Sequence, residues 1–143
     1  MKYHFKIHKE GDGFWAECLE INGCFTQADS KKELELNMKE VINLVLTDPP
    51  GSKFVAALPN PKIKKARNVK IVTPDPQVAF AFMVRYYRIK HGMTQSQISK
   101  KMGFSDIYSY QRLESSKSNP TLKTILKIKE ILPEMSLDVA IAL

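Results

Sequence analysis

The 143-residue sequence has no apolar run long enough to cross a bilayer, only two cysteines, three histidines and a single tryptophan. A spanning helix needs about 20 consecutive apolar residues, so the first absence excludes a helical membrane protein. No cleavable amino-terminal signal is expected, since Met1 to Lys9 interleaves Lys and His with the apolar positions, and the chain is expected in the cytoplasm. Cys18 and Cys24 have neither metal-ligand nor redox-pair spacing; in a reducing compartment they remain thiols that pack as small apolar residues. His4 and His8 fall on one side of an extended strand. Four residues at about 3.3 Å each nevertheless separate them by roughly 13 Å, too far for one metal ion. His91 stands alone near a helix end, where the helix dipole accounts for it. With no Ser/His/Asp or Cys/His pairing and no glycine-rich phosphate loop, the chain is expected to be no enzyme, with no catalytic residue, metal or cofactor.

Charge is plentiful but unevenly placed. Residues 1–59 hold 7 Lys and Arg against 9 Asp and Glu, whereas residues 60–143 hold 15 against 6. A basic surplus in one half is what a phosphate-binding surface needs, because each neutralised phosphate releases condensed counterions. Lys62, Lys64, Lys65, Arg67 and Lys70 open the basic part. They read equally as a solvated linker or as a help in holding nucleic acid. The length and 43% hydrophobic content suit two small domains. The expected division is residues 1–59, a linker with a short strand over 60–74, and residues 75–143.

Helix punctuation is densest in the rear half. From Asp75-Pro76 an apolar helix runs to Arg88, with Gly92 beyond its end, and it carries more apolar residues than one face of a small bundle can use, which suggests cover by a second copy. Thr94-Gln95-Ser96-Gln97 is a capping box that opens the next helix; Ile98 and Met102 give that helix a buried side and Gly103 supplies a left-handed turn. Ser105 is expected to cap a third helix, with Tyr110 and Leu113 inward and Ser109, Gln111 and Arg112 outward, residue types that reach base edges and phosphates. Asn119-Pro120 is expected to start a fourth, with Leu122, Ile125 and Leu126 as its apolar stripe and Pro133 ending it. The run resembles the Xre and Cro family of phage-type repressors at Gly92-Met93-Thr94-Gln95, at Ile98 to Gly103 and at Arg112-Leu113-Glu114. Between Gly103 and Glu114 it has one residue more than the commonest family spacing. The resemblance implies operator double-stranded DNA as a partner, with Thr94, Gln95, Ser96, Ser105, Asp106, Tyr108, Ser109, Gln111 and Arg112 as candidate contacts.

The front half reads as α+β. Tyr3, Phe5 and Ile7 alternate with His4, Lys6 and His8; Glu10-Gly11-Asp12-Gly13 is a turn; Phe14 to Leu19 returns as a second strand; and Asn22-Gly23 precedes a third at Cys24-Phe25-Thr26. Ser30-Lys31-Lys32-Glu33 is a second capping box, opening a helix whose Leu34, Met38, Val41, Ile42 and Val45 cover the sheet and which stops at Thr47 to Gly51. Lys53 to Leu58 is a candidate edge strand. Gly13-Phe14-Trp15-Ala16-Glu17, Ile21 to Ala28 and the helix from Ser30 resemble the HicB family of bacterial antitoxins. That resemblance implies a partial ribonuclease-H-like antiparallel sheet with one covering helix, joined to a helix-turn-helix domain. It also implies a small mRNA-cleaving partner, a HicA-like toxin, and repression of the chain's own operon.

Phe14, Trp15, Glu17 and Glu20 are the candidate toxin contacts, with only one of the adjacent Phe14 and Trp15 able to face a partner, and Trp15 the one expected outward. Ribonuclease H enzymes hold metal with clustered carboxylates; here Asp12, Glu20 and Asp29 read as loop residues and only Glu17 as a strand residue, so nothing gathers them. Short strand signals at Asn68 to Val72 and Ser136 to Leu143 flank the helices and are expected to pair with each other, within a chain or across a homodimer. The alternative is a stand-alone repressor with a ligand-sensing front half.

Overall fold

The computed structural model describes residues 1–47 and 52–142, which divide into two compact units, Met1–Pro74 and Asp75–Ile141. In the first, the alternating amino terminus forms β1 (Tyr3–Glu10), which turns back through Gly11, at φ 58°, into β2 (Gly13–Cys18). β3 (Phe25–Ala28) follows after the turn at Gly23. A fourth strand, β4 (Val69–Val72), completes an antiparallel sheet in the order β3-β2-β1-β4. The register pairs Ile7 with Ala16, His8 with Trp15 and Tyr3 with Val72. Since strand side chains alternate, Tyr3, Phe5, Phe14, Ala16 and Cys18 share one face, and His8, Trp15, Glu17, Phe25 and Ile71 share the other.

Helix α1 (Lys31–Leu46) covers the first of these faces. Its buried stripe is Leu34, Met38, Ile42 and Leu46, spaced by four, while Val41 and Val45 lie at the margin. Lys31 sits over the Phe14 ring at 5.8 Å and Glu35 pairs with Lys70, opposite Phe5, so helix and sheet meet at both ends of the core. The capping box forms by half: Ser30 accepts from Glu33 N at 3.2 Å, but the Glu33 carboxylate accepts from Asp29 N instead. Thr47 is the C-cap, and the expected stop at Asp48 to Gly51 lies outside the described residues.

Three expectations from the chain's periodicity fail here. Lys53 to Leu58 forms no strand. The strand at residues 69–72 pairs with β1, whose free edge needed a partner, and not with the carboxy terminus. Ser136 to Ala140 is helical: the Ser136 hydroxyl accepts from Val139 N at 3.3 Å and caps α6 (Leu137–Ala140). A serine ahead of a short apolar run favours a helix start over a ladder, which alternation alone does not reveal. The stretch from residue 60 to 74 therefore belongs to the sheet unit. With the boundary at Asp75 the basic surplus evens out, to 12 Lys and Arg against 9 Asp and Glu in residues 1–74 and 10 against 6 in residues 75–141.

The second unit contains α2 (Pro76–Lys90), α3 (Gln95–Met102), α4 (Ile107–Gln111), α5 (Leu122–Ile131) and α6. Pro76 occupies the first turn of α2, where its missing N–H costs nothing. Val78 to Val84 are all buried, so the apolar surplus that suggested a second copy is met within one chain.

Candidate nucleic-acid interface

Two glycines and two caps set the angle between α2, α3 and α4. Gly92 and Gly103 take φ of 66° and 76°, a left-handed conformation that costs other residues roughly 1–2 kcal/mol. Between them the expected capping box is complete: Thr94 Oγ1 accepts from Gln97 N at 3.1 Å and Gln97 Oε1 accepts from Thr94 N at 2.8 Å. Ile98 and Met102 are buried as expected. Ser99, which no local pattern singles out, is also buried and donates to the Asp106 carbonyl at 3.0 Å, tying α3 to the start of α4.

The third helix starts one residue later than expected. Its cap is Asp106, not Ser105: the Asp106 carboxylate accepts from Ser109 N at 2.8 Å and from Ser109 Oγ at 3.0 Å. A carboxylate is a stronger acceptor than a hydroxyl and also suits the positive end of a helix dipole. The two Ser109 bonds, backbone first, hold the Asp106 carboxyl below its ordinary range. After Gln111 the helix tightens into a 3-10 turn, Arg112–Glu114.

A buried polar network fixes this helix. Glu114 accepts from Arg88 Nε at 2.5 Å, Arg88 Nη2 at 3.2 Å, Tyr110 Oη at 2.6 Å and Gln95 Nε2 at 2.9 Å. Arg88 Nη1 donates to the Met93 carbonyl at 2.9 Å, and Gln111 Nε2 donates to Gln95 Oε1 at 3.0 Å. One carboxylate thereby joins the end of α2, the start of α3 and the carboxy-terminal end of α4. Burial opposes the Arg88 charge, but Glu114 outweighs it and the guanidinium is held above its ordinary value. Burial, then the Glu114 charge, pushes the Tyr110 phenol up. The consequence has a definite sign. Above the ordinary phenol value near pH 10 the unfolded chain loses the Tyr110 proton while the folded unit retains it, so stability falls as pH rises. Urea denaturation between about pH 9 and 11 should show that fall, and Tyr110→Phe should flatten it.

The candidate DNA contacts separate into two groups. Tyr108, 73% exposed, lies on the outside with Gln111, Arg112, Ser105 and Ser96. Thr94, Asp106 and Ser109 have their side chains engaged in caps. Gln95, a candidate DNA contact, uses both ends of its amide inside the protein and holds Gln111 at the surface. The fourth helix is capped by Thr121, whose hydroxyl accepts from Thr124 N at 3.2 Å, and not by Asn119, two residues earlier. Its buried contact is Ile128, followed by Leu132, whereas Leu122 and Leu126 are 80% and 66% exposed.

In the sheet unit, Trp15 lies on the face opposite α1, stacked on His8 with 4.0 Å between ring centroids, and Glu17 on the same face accepts or shares a hydrogen bond with His8 Nε2 at 3.0 Å. Phe14 is on the α1 side, as the alternation required. Glu20 is no surface acid. Its side chain is 2% exposed and meets His4 Nδ1 at 2.6 Å, His4 N at 3.0 Å and Asn60 N at 3.3 Å. Phe25, 64% exposed, and Ile71 join Trp15 on the open face; sequence reading missed both because register decides the face. Cys18 and Cys24 are buried thiols, but they meet: a hydrogen bond with Cys24, then burial, raises Cys18. Among the described residues no cluster of His, Cys, Asp or Glu could hold a metal ion, and no helix is long and apolar enough to cross a membrane.

Residues 84–139 match a family model described as helix-turn-helix. The matched stretch begins within α2 and ends in α6, so it contains the whole Arg88–Glu114 network and the surface of α4. The second unit is a helix-turn-helix DNA-binding unit of the kind that transcription regulators use. No curated protein matches the chain.

Proposed function

We propose that this chain is a two-part antitoxin and autorepressor, acting by binding and not by catalysis. The helix-turn-helix unit grips operator DNA, as a homodimer on a palindromic site, and the sheet unit captures a small basic mRNA-cleaving toxin of the HicA kind. The observation that carries the DNA part is the Glu114 network, which ties the end of α4 to both α2 and α3 while leaving Tyr108, Gln111 and Arg112 exposed. A rigidly held short helix with hydrogen-bonding side chains outward is what base readout in the major groove requires. The toxin part is supported by the open sheet face, where Trp15 and Phe25 offer aromatic anchors beside Glu17, an acid suited to a basic partner. Phe14 and Glu20 drop out of that surface, the one under α1 and the other in the core.

Arg112→Ala should weaken binding to the DNA upstream of the chain's own gene by about 1–3 kcal/mol and relax its base preference. A mobility-shift titration against matched and scrambled duplexes reads both. An unchanged titration would remove Arg112 from the interface. For the front unit, co-expression with the product of the adjacent reading frame should rescue growth, and Trp15→Ala with Phe25→Ala should abolish the rescue without altering the melting profile. Rescue by the double variant would place capture elsewhere, and the absence of any toxic neighbour would favour a stand-alone repressor.

A further inference from the structure

The basic stretch that composition marks as a linker is a built part of the sheet unit. Asn60 donates its N–H to the buried Glu20 carboxylate at 3.3 Å, its carbonyl accepts from Ile63 N at 3.2 Å and its side chain accepts from Lys62 N at 3.0 Å. Ala66 O accepts from Val69 N at 3.0 Å, and Asn68 O accepts from Ile7 N at 2.8 Å, which ties the far end to β1. On this fixed backbone Lys62, Lys64, Lys65 and Arg67 are all exposed, and none pairs with a carboxylate among the described residues. Lys70, by contrast, is neutralised by Glu35. Four unpaired cations within six ordered residues repel one another, and a polyanion relieves that repulsion.

We propose that the loop from Lys62 to Arg67 is a second contact to duplex DNA, holding backbone phosphates that flank the bases read by α4. The inference rests on the DNA-binding function proposed above and adds a site outside the matched helix-turn-helix. Two observations select duplex DNA over a single strand. No aromatic residue lies between Asn60 and Lys70, so the loop has no platform on which unpaired bases would stack. Arg67 is also only eight residues ahead of Asp75, where the second unit begins. A chain of that length spans at most about 29 Å, so the loop is held close to the start of the unit that carries α4 and both units can reach one DNA molecule.

The test uses the full chain, with Lys62, Lys64, Lys65 and Arg67 all changed to Gln. The control changes four other exposed lysines of the same unit, Lys2, Lys9, Lys32 and Lys53, to Gln and removes the same charge. Binding is titrated across a salt series on a duplex from upstream of the chain's own gene and on a scrambled duplex of equal length. The loop variant should lower the slope of log affinity against log salt by about 2 to 4 on both duplexes, leaving their affinity ratio unchanged, since each phosphate contact contributes about 0.9. The control should keep the wild-type slope. Equal losses in loop variant and control would reduce the effect to net charge and overturn the proposal. A loop variant that binds duplex normally but loses affinity for single-stranded RNA would overturn it too. If Arg112→Ala impairs binding while the loop variant does not, the second contact alone fails; if the wild type binds neither duplex, the DNA function fails with it.

Discussion

Glu114→Ala is expected to destabilise the helix-turn-helix unit by about 3–5 kcal/mol and to weaken DNA binding with it, although the Glu114 side chain is buried. Its side chain is 6% exposed and faces Arg88, itself 12% exposed. Removing the carboxylate leaves a guanidinium in the interior without its charge partner, and also strands the Tyr110 hydroxyl and the Gln95 amide. Breaking one side of a buried ion pair costs about 3–5 kcal/mol, against a total stability for a small domain of about 5–15 kcal/mol. The damage comes from the orphaned charge and not from a missing attraction. The double variant Arg88→Met with Glu114→Leu should therefore be more stable than Glu114→Ala alone, because neither polar partner remains to be left unpaired. Urea denaturation of the single and double variants decides the matter: a double variant as unstable as the single would show that the network stabilises by packing only. The Arg88 contribution should be pH-independent over the working range. Its guanidinium is held above its ordinary value, so the stabilisation is fully present below the unfolded value and is lost only in strong alkali.

The second large effect is expected in the other unit. Glu20→Ala should lower the stability of the sheet unit by about 2–5 kcal/mol, since it leaves the His4 ring, the His4 N–H and the Asn60 N–H without their buried acceptor. The Cys18 thiol, which donates to the same carboxylate at 3.5 Å, loses its partner as well. Toxin capture should disappear with the fold. Hydrogen exchange separates this from loss of a contact: amides of residues 3–18 should lose protection while those of residues 76–102 keep theirs. Full protection in both units, with capture lost, would return Glu20 to the toxin-binding surface. The same substitution should loosen the Lys62–Arg67 loop, because Asn60 anchors it to Glu20.

Local chemistry was written plainly in the chain. The Thr94–Gln97 capping box, the left-handed Gly103, the inward Tyr110 and the Pro76 start of α2 all depend on neighbours three or four residues away, and each stands where the sequence placed it. Errors arose where two local signals competed. Ser105 and Asp106 are both capping types, and the stronger acceptor took the position; Asn119 and Thr121 are both capping types, and the helix starts at the second. Leu122 and Leu126 looked like a core stripe because spacing alone does not say which side of a short helix is covered.

By itself, then, the sequence determined the order of helices α2 to α5 in the rear unit, the three front strands with their helix, and the Trp15-outward alternation, because turns, caps and side-chain periodicity are set within a few residues. Tertiary structure alone decided that residues 69–72 complete the front sheet against β1, that Glu20 lies in a core, and that Arg88, Gln95, Tyr110 and Glu114 form one network across up to 26 residues. Those partners meet only once the chain has folded. A buried carboxylate and a solvated one are the same letter in a sequence, and only the groups that surround each of them make the difference.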